Sequence, residues 1–464
     1  MVLANIPACS PPVSYDEGLP LPQRYRAILA IALGIMLAVL DGAIANVALP
    51  TIARELKTSH AGVIWVVNAY QLVITMLLLP LASAGDIYGY RRVYRVGLVV
   101  FTVFSLACAV SDSLAMLTLA RVLQGVGAAA IMSVNSALLR FIYPRSLLGR
   151  GLAFNGLVVA LSSASGPSVA SAILSIASWH WLFAVSVPVG LAALLASRDL
   201  PATPHSPRRF DFTSAGLNAL FFGFLIIGVD AIGHGGSWIA VASALGAAII
   251  AGIGLVLRQL SRAAPLLPID LLGIPLFALS IGTSVCSFAA QMMAYVSMPF
   301  YLQHSFGLSQ VETGVVMTAW PLTLAVVAPL AGRLADRYPA GLLGSIGLSI
   351  LALGLLPLAM LPADASRLDI AWRLSICGIG FGLFQSPNNR AIITSAPRER
   401  SGGASGMLGT ARLLGQTSGA AYVAVAFGLW PASGTTVTLL TGAACALGAA
   451  VVSGLRMIER RRAG

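Results

Sequence analysis

Charge is scarce in this chain: Asp, Glu, Lys and Arg make up only 9% of its 464 residues. A water-solvated domain carries roughly 25%, so a soluble globule of this length is excluded. Lysine is scarcer still, with a single Lys57 in the stretch Arg54-Glu55-Leu56-Lys57-Thr58. A nucleotide phosphate loop needs a glycine directly before its lysine. Leu56 stands there instead, so ATP-driven transport is set aside. The five cysteines (Cys9, Cys108, Cys286, Cys377, Cys445) are odd in number and form no C-x-x-C. All but Cys9 fall in apolar runs, which reads as packing and excludes a disulfide or zinc framework. The five histidines (His60, His180, His205, His234, His304) lie in loops or at helix ends without metal-ligand spacing. No nucleophile–base or metal set falls inside the apolar runs, so neither an enzyme nor a cofactor is expected. A secretory signal is missing too: residues 1–23 are polar and Pro-rich, and the first apolar run is too long for an h-region.

What the chain has in abundance is long apolar runs. Hydrophobic residues make up 58% of it and the mean hydropathy is +0.88. The runs are about 20 residues long, which suffices for a helix to cross a hydrocarbon core of about 30 Å. They place helices at 27–50, 61–83, 93–111, 114–139, 149–174, 181–197, 212–232, 238–257, 274–300, 313–331, 341–361, 371–395, 402–428 and 436–455. The expected fold is an all-α polytopic membrane protein with fourteen transmembrane helices. Net charge is +12, which raises nucleic acid or an anionic surface as partners. The positions of the basic residues answer this. With the N-terminus in the cytoplasm, 22 arginines fall on the cytoplasmic side, and only Arg54, Lys57 and Arg367 fall opposite. Such a split is a topology signal. It excludes a nucleic-acid surface and puts both termini inside.

An internal repeat gives the architecture. At a shift of 253, Gly125, Gly127, Ser133, Asn135, Pro144, Arg145, Gly156 and Gly166 meet Gly378, Gly380, Ser386, Asn388, Pro397, Arg398, Gly409 and Gly419. Shared composition alone does not put Pro, Asn and Arg in register. The chain divides into a cytoplasmic tail 1–26, a six-helix bundle 27–197, a two-helix insert 198–273, a second bundle 274–455 and a basic cytoplasmic tail 456–464. Two facing bundles related by a repeat suit alternating access around a central cavity.

Four motifs stand in order on these helices. Helix 1 carries Leu40-Asp41-Gly42-Ala43-Ile44-Ala45-Asn46-Val47-Ala48-Leu49-Pro50. The loop after helix 2 reads Gly85-Asp86-Ile87-Tyr88-Gly89-Tyr90-Arg91-Arg92, with a partial counterpart Gly332-Arg333-Leu334-Ala335-Asp336-Arg337. Helix 4 holds Arg121-Val122-Leu123-Gln124-Gly125-Val126-Gly127, and helix 5 holds Gly166-Pro167. By these motifs the chain resembles the major facilitator superfamily, specifically its 14-helix drug:proton antiporter branch, over nearly its whole length. The loop departs from the superfamily pattern at Ala82, Ile87 and Tyr90, and Ser162, Ala170 and Ser171 replace glycines around Gly166-Pro167. The resemblance implies a proton-coupled exporter of small hydrophobic or cationic compounds in the inner membrane of a prokaryote, working as a monomer on the proton gradient.

The residues carry their own physics. Asp41 is the one acid near mid-membrane, where insertion costs about 2.5–3.5 kcal/mol, so it is either a proton-coupling group or a structural acid bonded to a neighbouring helix. Arg121 lies at a similar depth and cannot lose its proton; it either relays charge with Asp41 or rests on backbone carbonyls. Asp41→Asn is expected to fold normally and to lose coupling. Asp86, Gly89, Arg91, Gly332, Asp336 and Arg337 form a conformational gate at the cytoplasmic face or serve topology alone. Gly166 and Pro167 kink helix 5 and admit a close neighbour. Asn46, Trp65, Asn68, Gln71, Asn135, Gln291, Gln385, Asn388 and Arg412 either line the cavity or bond between helices. A specific metabolite exporter (amino acid or siderophore) and a non-transporting membrane receptor are the other readings. Cysteines introduced near Gly236 and Ser366 should react with an impermeant thiol reagent from outside, and one near Pro204 only from inside. External labelling at Pro204 overturns the fourteen-helix arrangement.

Overall fold

A computed structural model describes residues 18–144, 147–203, 210–233, 237–260, 269–362, 364–396 and 401–462. The sites near Pro204 and Gly236 named above lie outside them. Among the described residues there is no strand. The first bundle comprises α1 (Leu21–Glu55), α2 (His60–Val63), α3 (Trp65–Tyr88), α4 (Tyr90–Ala109), α5 (Leu114–Ile142), α6 (Leu148–Leu174), α7 (His180–Ala184) and α8 (Ser186–Ala196). The insert is α9 (Phe212–Gly233) and α10 (Trp238–Leu260). The second bundle comprises α11 (Pro275–His304), α12 (Gln310–Met317), α13 (Ala319–Leu334), α14 (Ala340–Ala359), α15 (Arg367–Ser395), α16 (Ser401–Leu429) and α17 (Gly434–Arg462).

Local chemistry accounts for the ends and breaks. Proline at the first turn costs no intrahelical bond, and Pro22 and Pro275 open α1 and α11. Ser59, Ser113, Ser309 and Ser366 cap α2, α5, α12 and α15 by accepting the backbone N–H of Gly62, Met116, Glu312 and Asp369. All four lie at the end of the molecule opposite the arginine-rich turns. Proline lacks the N–H that would bond the carbonyl four residues back. The breaks between α7 and α8 and between α12 and α13 fall beside the carbonyls that Pro188 and Pro321 leave free. Pro167 does the same in α6, which is bent by 43° between its Phe154–Ser163 and Ser165–Leu174 parts.

Eleven helical stretches among the described residues are long and apolar enough to cross a membrane, and twelve with bent α6. The fourteen-helix count adds α15 and α16, which have 29 residues each. Their polar content, including Asp369, Arg373 and Arg412, makes them less oily than the others. One expectation is corrected here. Position 456 was placed at the start of a cytoplasmic tail, but α17 runs on to Arg462 and Arg456 is only 2% exposed. Arg456 is received inside the bundle, as described below.

The repeat is built into the packing. In the first bundle α4 crosses α5 where Gly97 meets Gly127: a Cβ on Gly97 would stand 3.0 Å from the Gly127 carbonyl oxygen. In the second, α14 crosses α15 where Gly347 meets Gly380, with the corresponding distance 2.7 Å. Gly125 lets α5 approach the Tyr70 carbonyl of α3, and Gly378 lets α15 approach the Trp320 carbonyl of α13. Gly166 of α6 seats on Ala43 of α1, and Gly419 of α16 seats on Ala289 of α11. Glycine is needed at these positions because the facing atoms include backbone or the Cβ of an alanine, which cannot move aside. The insert sits outside the seam between the bundles, with α9 against α3, α16 and α10. Asp211 ties the insert together. Burial pushes its carboxyl up, but hydrogen bonds from Arg258 and Ser214 outweigh this and hold it at about 2.

Overpacking a tight site costs about 1–3 kcal/mol, so Gly127→Ala and Gly380→Ala should each lower the unfolding temperature in detergent. Gly156 and Gly448 face open space. Alanine there removes glycine's excess chain entropy and should be neutral or stabilising by about 0.5–1 kcal/mol. Equal effects at all four positions would contradict this account of the crossings.

Candidate functional site

Five helices of the first bundle converge on one polar cluster. α5 supplies Arg121 and Gln124, three residues apart and so on one face. α1 supplies Asp41, α4 supplies Ser105 and Cys108, α3 supplies Tyr70 and the Val66 carbonyl, and α7 supplies Phe183. Arg121 Nη1 donates to Asp41 Oδ2 in a salt bridge whose side chains are 0% and 1% exposed. Asp41 Oδ1 accepts from Gln124 Nε2 at 3.0 Å, and that amide also donates to Ser105 Oγ at 2.8 Å. Gln124 Oε1 accepts from Arg121 Nη1 at 2.6 Å, and Arg121 Nε donates to the Val66 carbonyl at 3.0 Å. The guanidinium carbon lies 4.0 Å from the Tyr70 ring centroid and 5.5 Å from that of Phe183. Tyr70 is itself fixed by donating its hydroxyl to the Ala38 carbonyl at 2.8 Å.

Charge pairing in a dry site needs the remaining polar atoms satisfied. Gln124 serves both partners, since its carbonyl faces the cation and its amide faces the carboxylate, while Arg121 Nη2 keeps no hydrogen-bond partner and is covered by the aromatic rings. Gly42, beside Asp41, lies against the Tyr70 ring, where a Cβ would make ordinary contact at 3.6 Å. Two residues beyond Asp41, Ala43 receives Gly166 of α6. The Gly-Pro element therefore leans on the helix that carries the carboxylate. Its other side faces the second bundle, where Gly314 of α12 lies against Ser171 and the Pro167 carbonyl.

The gate residues are bonded within their own bundles. Gly89 turns the chain between α3 and α4 with φ 93°, a conformation that favours glycine. Asp86 accepts from Tyr90, Arg91 donates to the Arg198 carbonyl at 2.8 Å, and Asp336 pairs with Arg390. Arg337 is exposed and Gly332 is open to a Cβ. Hydrogen bonds that cross between bundles lie elsewhere, at mid-depth or at the end opposite the arginine-rich turns. Among the described residues they are Thr75 to Thr417 at 3.2 Å, Ser168 to Thr318 at 2.7 Å, Gln310 to Thr51 at 2.5 Å and Ser171 to the Gln310 carbonyl at 3.5 Å. His60 packs there against Phe300, His304 and Phe427 of the other bundle in tilted and edge-to-face contacts. The bundles meet at that end, and no described gate residue bonds across at the arginine-rich end.

The candidate lining residues divide. Asn388 is buried in the second bundle, where it accepts from Arg456 Nη1 at 2.5 Å and donates to Ser284 Oγ at 2.8 Å. Arg456 also donates to Ser280 Oγ at 2.8 Å and to Ser453. This cluster was not foreseen, although Ser453 and Arg456 share a helical face at a spacing of three. Asn135 is buried and donates to Asn155 at 2.8 Å, and Asn46 donates to the Gly42 carbonyl at 3.3 Å. Asn68 is fully buried, and Gln71 and Gln291 are nearly so. Trp65, Gln385 and Arg412 remain partly exposed. Arg412 Nε is buried without a hydrogen-bond partner.

Two helical bundles that meet at one end, with a buried charge pair in one of them, are the arrangement of a multi-pass membrane transporter of small molecules. Residues 31–420 match the family model of the Major Facilitator Superfamily, and the chain belongs to that family. The chain is 59% identical to the Escherichia coli (strain K12) protein named uncharacterized transporter YebQ, over 96% of this chain and 98% of that one. It is 29% identical to the riboflavin transporter RibZ of Clostridioides difficile (strain 630), over 86% and 87%. It is 30% identical to the multidrug resistance protein Stp of Mycobacterium tuberculosis (strain CDC 1551 / Oshkosh), over 87% and 76%. Its fold is similar to the crystal structure of a POT family transporter, with a TM-score of 0.70 at 15% identity, covering 95% and 96%.

The pairing revises one expectation. Asp41→Asn no longer simply relieves a lone acid, because it strands the Arg121 charge in a dry site. Removing one partner of a buried pair costs about 3–5 kcal/mol. Asp41→Ala should therefore lower the unfolding temperature markedly, Asp41→Asn less, and Asp41→Ala with Arg121→Met should recover most of the loss. Additive losses in the double variant would contradict the pairing.

Proposed function

We propose that this chain is a proton-driven exporter of small amphipathic compounds, working by alternating access as a monomer in a bacterial inner membrane. In this reading the arginine-rich turns and both termini face the cytoplasm and all fourteen helices span. The observation that carries it is the position of Asp41, the one mid-membrane carboxylate, between Arg121 on one side and the Gly166-Pro167 bend on the other. A proton on Asp41 cancels its attraction for the guanidinium. Arg121 then keeps the Val66 carbonyl, Gln124 and the Tyr70 and Phe183 rings, and α1 is less firmly held to α5. α1 also carries Thr51, which meets Gln310 of the other bundle, and α6 is wedged between α1 and α12. Loosening α1 therefore frees the closing end to rearrange, and export against the gradient requires that Asp41 take its proton from outside while that end is open and give it to the cytoplasm once that end has closed. Loss of the proton restores the pair and the present arrangement.

The name of the multidrug relative Stp supports export of foreign compounds. That of RibZ supports a second reading, movement of one metabolite. Of the hydrophobic and cationic substrates implied by the sequence resemblance, the hydrophobic kind is retained. A cation would need a free mid-membrane carboxylate, and Asp41 is committed to Arg121 and Gln124.

The test is flux in proteoliposomes with an acid lumen and a trapped pH dye. A substrate from a panel of amphipathic compounds and riboflavin should accumulate inside while the lumen loses protons. Neither should occur with folded Asp41→Asn protein. Accumulation that ignores lumen pH, or that persists in the Asn variant, overturns proton coupling.

A further inference from the structure

A deeply placed cation stands apart from the others in the second bundle: Arg412. Arg412 lies 11 residues into α16, which starts at Ser401, or about 16 Å at about 1.5 Å per residue. That is mid-membrane. The contacts of α16 fix its direction. Leu414 and Ala421 pack against Leu72, Phe222 and Ile226 of α3 and α9, on the outside of the seam. Gly415 and Gly419 seat on α11, and Leu413 and Thr417 face α3. At about 100° per residue, Arg412 and Ala421 point roughly 180° apart, so Arg412 faces away from the insert, between the side of α16 seated on α11 of its own bundle and the side that faces α3 of the other. On the same face Gln416 stands one turn further on. Beyond it Ala420, Val423 and Phe427 enter the apolar cluster that closes the far end with Ile44, Val47 and Phe300. Arg412 and Gln416 therefore lie just below the closure, and both are partly exposed.

Among the described residues Arg412 has no carboxylate partner. The other deeply placed cations are received by the protein, although each also keeps one buried nitrogen without a hydrogen-bond partner. Arg121 has Asp41, and Arg456 has Asn388, Ser280 and Ser453. Arg373 pairs with Asp369 and donates to the Pro357 carbonyl. A guanidinium held at mid-membrane without a counter-charge costs free energy, and it presents a fork of N–H donors matched to a carboxylate.

From this we infer that Arg412, with Gln416 beside it, is a substrate-binding site for the anionic group of an amphipathic organic acid. The inference rests on the transport reading only in taking the space between the bundles as the substrate's path.

Binding is measured at equilibrium, without a gradient, on the full chain in lipid nanodiscs. Three radiolabelled probes of one shape are used: 1-naphthoate, its neutral 1-naphthamide and 1-naphthylmethylammonium. The native protein should bind the naphthoate at least about tenfold more tightly than the ammonium, the scale of one charge-assisted hydrogen bond. Arg412→Gln should abolish that preference while binding the amide as before, and Arg412→Lys should keep part of it. The unfolding temperature of Arg412→Gln should not fall, because no partner is stranded. Failure of the naphthoate to bind, a preference for the ammonium, or an unchanged preference in Arg412→Gln overturns the inference. A collapse in stability of Arg412→Gln overturns it too, by assigning the residue to packing. Charge-selective binding without gradient-driven flux would instead sink the exporter reading and leave this site standing.

Discussion

The bond between Asp41 and Arg121 organises the first bundle. Two opposite charges placed in a dry interior are expensive apart and tolerable together, so the helices that carry them must meet. α1 and α5 do, and the second-layer groups follow: Gln124 to serve both partners, Tyr70 to cover the guanidinium, Val66 to take its third bond. The second bundle has no such pair at the repeat-related place, where Ala290 and Gln291 stand. It is tied instead by Arg456, whose partners are hydroxyls and an amide. One bundle thus holds a bond that a proton can break. In the other, the bonds of the buried Arg456 do not depend on a carboxylate.

Stiffness is distributed accordingly. Within each bundle, glycines bring helix backbones together at matching crossings, and there is no slack in contacts of that kind. Between the bundles the described polar links are a few hydroxyl and amide hydrogen bonds, with apolar side chains around His60, Phe300 and Phe427. A neutral hydrogen bond contributes about 1 kcal/mol net, so the bundles are held together far less firmly than they are held internally. Rigid bodies joined by a weak seam move against one another before they deform.

Much of this was legible in the residues, because a bilayer imposes length and charge rules that read directly from the chain. The apolar runs marked the helices, and Pro167 marked a bend. The shift of 253 marked glycines whose partners Gly97 and Gly347 are themselves 250 apart. Depth was legible for Asp41 and Arg121, but azimuth was not, and pairing depends on both. Arg456 was read as a tail charge because it lies next to Arg460, Arg461 and Arg462, and only the neighbouring helices reveal that it turns inward. Asn388 and Asn135 looked like cavity lining because a polar residue in an apolar run signals only that it has a partner. Whether that partner is a ligand or another helix is decided by the packing.

The turn after α1 has a use that its geometry makes plain. Lys57 holds a left-handed φ of 51°, unusual for a residue with a side chain, and it is exposed at the end where the bundles meet. It carries the one ε-amine in 464 residues. Amine chemistry therefore has a single side-chain address on this molecule, four residues from Ala61 of the closing cluster. A dye attached there would sit beside the seam without any engineered residue, and its environment would change as the two bundles part.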